Sequence, residues 1–151
     1  MIGGLEIHPS VVHFPIALTV VGGLFALLYA ALRKEWLRWF APLLLSLALL
    51  GAVAAYFSGQ AAEDRAETIG VPEAAIGEHE SAGIWSLGLI ALSCLLCWAT
   101  FVPRRGVWIA AVVSLVAVAT VLRTGHLGGQ LVYVHGAGRV QGAAPLEAEH
   151  E

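Results

Sequence analysis

The sequence contains six histidines, and five of them stand at the ends of long uncharged stretches. His8 and His13 precede the first stretch, His79 precedes the third, and His126 and His135 follow the fourth. Neutral imidazole is the commonest side-chain ligand of transition metals, and it also binds haem iron. Because the ligands of such a site come from different segments at one depth, this placement predicts a metal or haem site.

A b-type haem and a bare metal ion make different demands on these residues. Haem needs two histidines from facing helices, a flat slot lined by small residues, and cations near its propionates. We predict His13 and His79 as the axial pair, and the further candidates for a haem site are His126, His135 and Arg123. Zinc or copper needs three or four donors around one point, and the candidates are His8, His13, His79 and His135. Haem is preferred because the interior of a helical bundle supplies its apolar surroundings.

The same histidines also fit a second class of function that needs no cofactor. An imidazole is amphipathic, so each ring can cap a helix end or lie among polar groups at the membrane surface. The protein would then be a non-catalytic membrane anchor whose acidic outer face docks a basic periplasmic redox protein. Self-association into a homo-oligomer is a further expected contact. The two classes differ in one measurable respect, since only the first predicts a bound haem or metal ion.

The composition indicates which elements position these residues. Hydrophobic residues make up 58% of the chain and charged residues only 13%, with a mean hydropathy of +0.79. A soluble domain carries about 25% charged residues, so this chain lacks the charge to coat a soluble surface. Lipid cannot satisfy the backbone groups of an exposed strand edge, so the spans are predicted to be helices. The four predicted membrane spans cover about 12–32, 39–58, 82–102 and 107–124.

Very short connections join spans one and two, and spans three and four, at about 33–38 and 103–106. They predict two antiparallel hairpins and an all-α four-helix bundle formed by residues 1–142. Five of the eight Lys and Arg residues lie in these connections, which the positive-inside rule places in the cytoplasm. We therefore predict a multi-pass protein of the bacterial inner membrane with both termini and every histidine outside. The tail, residues 143–151, is predicted to be disordered.

The sequence also predicts the structure of the segments at the outer ends of the spans. Residues 58–80 are polar and are expected to form a loop, although Pro72 and Glu73 indicate that the third helix begins before the membrane does. Gly128 and Gly129 are expected to end the fourth helix, because glycine allows the chain to turn back over the rim.

Several other functions are disfavoured by residue type. A net charge of -3 and the lack of a large Lys/Arg cluster argue against nucleic-acid binding. Cys94 and Cys97 lie within the third span without a nearby cation, so they are interpreted as packing residues. The chain contains no C-x-x-C-H motif for covalent attachment of haem. No catalytic triad is recognisable, and the residues assign no enzymatic reaction.

Two segments resemble the signature segments of a bacterial membrane family catalogued as domain of unknown function 2231. They are the run from His8-Pro9 through Val12-His13-Phe14-Pro15-Ile16-Ala17-Leu18, and the run Gly128-Gly129-Gln130-Leu131-Val132-Tyr133-Val134-His135-Gly136. The resemblance covers nearly the whole chain, and His79 matches a histidine that the family often places before its third helix. Family members are similar four-helix inner-membrane proteins, sometimes joined to cytochrome c or Rieske domains, so the resemblance implies a redox setting. The chain departs from the family pattern at residues 137–140, where Ala-Gly-Arg-Val replaces the usual Gly-Val-Gly-Val.

Overall fold

The computed structural model describes residues 4–101 and 106–138, and almost all of them are helical. The helices are α1 (Gly4–Leu32), α2 (Phe40–Thr68), α3 (Glu73–Ala99) and α4 (Val107–Tyr133), with a short 3₁₀ helix (Glu35–Trp39) between α1 and α2. α1 packs against α2 and α4, and α3 packs against the same two helices. α1 and α3 are therefore diagonal partners across the bundle. The predicted all-α bundle of two antiparallel hairpins is confirmed.

Side-chain sizes are distributed as expected for a bundle surrounded by lipid. All four helices are long and apolar enough to cross a membrane. Large apolar side chains point outward, as Leu50 and Leu95 illustrate, each with 68% of its surface exposed. Helices in lipid are held together by close packing, which small residues permit. The interior accordingly contains many buried alanines, including Ala26, Ala30, Ala48, Ala111 and Ala117.

A close approach between α1 and α4 occurs at Gly23. A Cβ added there would lie 2.7 Å from Val118 Cγ2 and 3.4 Å from the carbonyl oxygen of Ser114. Valine is β-branched and has little χ1 freedom in a helix, so its methyl group cannot easily move aside. The buried hydroxyl of Ser114 donates to Ala110 O at 2.8 Å, so this polar group is satisfied inside the bundle. Gly23 therefore sets the distance between the two helices.

Replacing Gly23 by alanine is expected to destabilise the bundle by about 1–3 kcal/mol, the usual cost of overpacking. Alanine is favoured over glycine in a helix by about 1 kcal/mol, so any net loss has to come from the contact with Val118. Gly88→Ala is the matched control, because a Cβ at Gly88 meets nothing within 4 Å. Reversible unfolding in mixed detergent micelles measures the free energy of both variants. Equal stability of the two would show that α1 and α4 do not need this close approach.

α2 and α3 extend beyond their predicted spans. Residues 58–80, which were expected to form a loop, are helical except for the turn at residues 69–72. The loop expectation was wrong because Ala, Gln, Glu and Arg, all good helix formers, continue α2 after the apolar residues end. Ala62 and Ala66 are buried and give this extension an inward-facing side. A change from apolar to polar residues alters the solvent around a helix but leaves its backbone hydrogen bonds unchanged.

The turn between α2 and α3 is short because a glycine reverses the chain. Gly70 has a φ of +88°, a conformation that favours glycine. The N–H of Val71 donates to Ala66 O at 3.1 Å, which caps the end of α2 in a Schellman arrangement. α3 then begins at Glu73 with Pro72 as its N-cap. The helix start predicted at these residues is confirmed.

α4 also runs further than expected. Gly128 and Gly129 lie inside this helix, which continues to Tyr133, so the expectation that they end it was wrong. Gly136 allows the chain to turn instead, with a φ of +73°. A glycine inside a helix costs about 1 kcal/mol relative to alanine. At Gly128 a neighbouring group uses the space, whereas a Cβ at Gly129 would meet nothing within 4 Å.

The turn after α4 closes one end of the bundle. Ala137 is only 7% exposed, and it packs in a small apolar cluster with Ala66, Val71 and Ile76. We call this end the histidine end, and it contains the N-termini of α1 and α3 and the C-termini of α2 and α4. The predicted disordered tail, residues 143–151, lies outside the described residues, as does Arg139.

Candidate functional site

The histidine end contains a cavity of about 550 Å³ between the four helices. Ligand pockets in proteins usually measure about 300–1,000 Å³. All four helices contribute to its lining, with His8 and His13 from α1 and His79 from α3. Three of the candidate ligands from the sequence therefore line one cavity.

His8 and His79 approach each other in this cavity. Their ring centroids are 6.1 Å apart, and the ring planes are nearly perpendicular, at 85°. Metal–nitrogen bonds to histidine measure about 2.0–2.1 Å, and each ring centre lies roughly 1 Å beyond its nitrogen. Two imidazoles on opposite sides of one metal therefore have centroids about 6 Å apart. The observed separation has this size, and the two rings come from the diagonal helices α1 and α3.

Hydrogen bonding determines which nitrogen of His8 carries the proton. His8 Nδ1 lies 2.9 Å from Ser58 Oγ, and Ser58 Oγ donates its own proton to Ala55 O, also at 2.9 Å. A hydroxyl has one proton to donate, so Ser58 accepts from the Nδ1–H of His8. In the neutral ring, Nε2 then carries the free lone pair. This is the nitrogen that is able to bind a metal.

His79 is held in the same tautomer by a different partner. Its Nδ1 lies 3.2 Å from the carbonyl oxygen of Thr124, which is an acceptor only, so Nδ1 carries the proton and Nε2 the lone pair. The side chain of Thr124 is fixed in turn, because its Oγ1 donates to Thr120 O at 3.0 Å. Ser86 Oγ lies 2.9 Å from the same Oγ1. Both imidazoles are thus anchored at Nδ1 by a neighbouring helix.

Gly59 and Gly128 make room for the two rings. A Cβ on Gly59 would lie 3.2 Å from His8 Cε1, and a Cβ on Gly128 would lie 3.0 Å from His79 Cε1. Gly59 belongs to α2 and Gly128 to α4, the two helices that carry neither ring. Each imidazole therefore packs edge-on against the backbone of an adjacent helix. The contact with His79 explains why α4 contains a glycine at position 128.

Small residues make up most of the wall that α2 presents to the cavity, and three glycines lie in the wall of α4. Small side chains leave flat surfaces, which suit a planar molecule better than a round one. The deeper lining is apolar and includes Ile16, Leu87 and Val121. The small lining residues are Ala52, Ala55, Gly59, Ala62 and Ala66 on α2, and Gly125, Gly128 and Gly129 on α4.

The charged groups on the cavity wall are carboxylates. Glu63 and Glu80 line it, and Gln60 Nε2 donates to Glu80 Oε1 at 2.7 Å. In the part of the chain that the structure describes, no Lys or Arg lines the cavity. Arg123, the predicted partner of the haem propionates, instead pairs with Glu78 at 3.1 Å on the surface. The lining is therefore electronegative.

The remaining predicted ligands lie at the edge of this site or away from it. His13 lines the cavity but is exposed, and its Nδ1 is hydrogen-bonded to Pro9 O. His126 is exposed on α4, with Nε2 3.3 Å from Gln130 Nε2. His135 is exposed in the turn that follows α4. The structure thus brings His79 together with His8, and it places His126 and His135 outside the cavity lining.

A metal ion without a porphyrin would need more donors than these two rings. Structural and catalytic zinc sites use three or four protein ligands. Among residues 4–101 and 106–138, no group of three or more His, Cys, Asp or Glu side chains is arranged to hold a metal ion. The four predicted metal ligands, His8, His13, His79 and His135, do not converge on one point.

Sequence reasoning missed the residues that support the histidine pair. Ser58 and Thr124 fix the tautomers, and Gly59 and Gly128 provide the space. The glycines carried a signal, since each lies in a segment of helix-forming residues where glycine is unfavourable. Nothing in the sequence identified Ser58 and Thr124 as hydrogen-bond partners, because the two bonds join residues 50 and 45 positions apart in the chain.

Comparison with known proteins gives one match. Residues 4–141 match a family model described as "Predicted membrane protein (DUF2231)". The match covers nearly the whole chain, including all four helices and the cavity. Neither the curated proteins nor the solved structures provide a match.

Proposed function

Because the chain belongs to the DUF2231 family of predicted membrane proteins, its cavity lies in a multi-pass membrane protein, and we propose that this cavity binds a b-type haem for electron transfer. His8 and His79 would hold the haem iron through their imidazoles. The cofactor would supply one-electron chemistry. The protein would contribute the two imidazoles, their orientation, and apolar surroundings that limit the access of water.

The observation that carries this proposal is the paired anchoring of the two imidazoles. Metal-binding histidines nearly always donate their second ring N–H to a carbonyl, a carboxylate or water, which fixes the tautomer and orients the ring. His79 donates to a carbonyl and His8 to a hydroxyl, so both follow this pattern or a close variant of it. The two rings also have centroids 6.1 Å apart, the separation expected for two imidazoles that share one metal.

The shape and composition of the cavity support haem over a bare ion. Two imidazoles satisfy the axial demand of haem iron, whereas zinc or copper needs a third donor at least. The small residues of α2 and α4 leave space beside the ring pair for a planar macrocycle, and the apolar depth of the cavity suits its hydrophobic part. The two imidazoles and the apolar depth of the cavity therefore fit the group, whereas the described part of the lining supplies no Lys or Arg for its propionates.

Haem content of the purified protein tests the proposal. The full chain is expressed with haem supply, purified in detergent, and examined for absorption and for haem and metal content. We expect a Soret band with the sharp reduced bands of six-coordinate bis-imidazole haem, at about one haem per chain. A protein that shows no Soret band even after reconstitution with haem would overturn the proposal. Retained zinc or copper would then favour the metal alternative.

The proposed orientation puts the histidine end outside the cytoplasm of a bacterial inner membrane. Arg33, Lys34 and Arg38 lie at the opposite end of the bundle, between α1 and α2, and short basic connections of this kind usually stay in the cytoplasm. A reporter that is active only in the periplasm is expected to be active when fused after Glu151, and silent when inserted after Lys34. The reverse pattern would place the histidine end in the cytoplasm.

An anchor without a cofactor is the second candidate function, and exposed carboxylates favour it. Asp64 and Glu67 on α2, and Glu73 on α3, are exposed at the histidine end. A face of this sign can steer a basic soluble redox protein towards the membrane. This candidate predicts no haem in the wild-type protein, and it predicts partner binding that His8→Ala and His79→Ala leave unchanged. Co-purification from membranes of the source cell, with and without these substitutions, measures both.

A further inference from the structure

We infer that Glu63 and Glu80 make the proposed haem site a low-potential one, by stabilising its ferric form over its ferrous form. This inference rests on the proposed haem binding and goes beyond it, because it assigns a redox role to two side chains that do not ligate the iron. It also defines the class of reaction that supplies the electron, since a low-potential haem accepts electrons only from a strong reductant.

The two carboxylates occupy different helices but share the cavity wall. Glu63 lies on α2, one turn beyond Gly59, the glycine that packs against His8. Glu80 follows His79 directly on α3 and accepts a hydrogen bond from Gln60 at 2.7 Å. Both line the cavity, and both are only partly exposed. Among the described residues no cation lines the same wall, so no described side chain balances the two negative charges within the cavity.

The direction of the effect follows from the charge of the iron porphyrin. With two neutral imidazoles, the ferric core carries one positive charge and the ferrous core carries none. A nearby negative charge therefore stabilises the ferric state more than the ferrous state. The interaction is larger in a partly buried, apolar cavity than at the surface, because the effective dielectric constant is lower there. Net charge around the iron is one of the terms by which proteins adjust haem potentials.

The same charges act on the cofactor's own carboxylates. Two propionates bring further negative charge to a cavity that already holds Glu63 and Glu80, and Arg123 is engaged by Glu78 outside it. Removing a wall charge is therefore expected to have two effects with one cause. The reduction potential rises, and by thermodynamic linkage the affinity for ferrous haem b rises relative to the affinity for ferric haem b. A purely structural role for Glu63 predicts instead that both affinities fall, since damage to the cavity weakens binding.

The test is a redox titration of the haem-loaded full chain and its Glu63→Gln variant in detergent. We expect the variant's reduction equilibrium constant to increase about tenfold, which for one electron is about 59 mV, while its Soret band and haem affinity are retained. Glu67→Gln is the matched control, because Glu67 lies one turn further along α2, is exposed, and does not line the cavity. Glu80→Gln serves as a second variant with the same expected direction.

The outcomes separate this inference from the haem proposal. A normal bis-imidazole spectrum with the same potential in wild type, Glu63→Gln and Glu80→Gln would overturn the electrostatic role and leave haem binding intact. A potential that rises equally in Glu67→Gln would also overturn it, because the effect would then come from overall charge. Failure of the wild-type protein to bind haem would overturn both.

Discussion

Replacing either His8 or His79 by alanine is expected to abolish haem binding. Loss of the hydrogen-bond partner of a metal ligand typically costs about 10–100-fold in metal affinity, so loss of a ligand itself is expected to cost more than about 100-fold. The reason is that both residues line one cavity with Nδ1 hydrogen-bonded and Nε2 unprotonated, and the partner ring alone cannot hold the iron in six-coordinate form. Titration of the detergent-purified variants with haem measures this effect as the loss of the bis-imidazole Soret band.

His126→Ala is the control for this experiment, because His126 is exposed and lies outside the cavity lining. It is expected to bind haem like the wild type. His13→Ala separates the pair predicted from the sequence from the pair brought together in the structure. Retention of haem by His8→Ala and its loss from His13→Ala would contradict the assignment of His8 and favour His13 as the ligand.

Replacing Gly128 by alanine is expected to weaken haem binding by about 10–100-fold, the range seen when the support of a metal ligand is lost. The added Cβ would lie 3.0 Å from His79 Cε1, which is closer than such contacts normally allow. The ring has to move, and its hydrogen bond to Thr124 O is then lengthened or lost. Haem titration gives the affinity, and the reduced spectrum shows whether both imidazoles still ligate.

Gly77→Ala is the control, in the first turns of α3 and two residues before His79. A Cβ at Gly77 meets nothing within 4 Å and Gly77 does not line the cavity, so this variant is expected to bind haem normally. It is also expected to gain up to about 1 kcal/mol of stability from the better helix former. Equal haem affinities for the two variants would show that Gly128 does not support His79.

The spans and their pairing could be predicted from the sequence because they depend on local properties. Whether a segment crosses a membrane depends on the length and polarity of that segment, and a connection of a few residues can only join antiparallel neighbours. The same local rules were insufficient at the histidine end. The polar residues of 58–68 and the glycines at 128 and 129 indicated helix ends, but hydrogen bonding continues through both segments.

The sequence contained part of the information needed to choose between His8 and His13. Residues five apart on a helix are rotated by about 140°, so the two rings cannot point the same way. His8 shares its side of α1 with buried Pro15 and Thr19, whereas His13 shares its side with exposed Ala17 and Val20. The prediction favoured His13 because His8 was expected to lie slightly too far out from the membrane. The helix begins at Gly4, so His8 lies within it.

The sequence alone therefore determined the number of helices, their pairing and the end of the bundle that holds the histidines, since each follows from hydropathy, chain length and connection length. Only the tertiary structure decided which imidazoles meet and which nitrogen each presents. Those properties depend on the rotation and depth of one helix relative to another. They are decided by contacts between residues far apart in the chain, such as Ser58 with His8 and Gly128 with His79, and close packing allows such contacts only in one relative position of the helices.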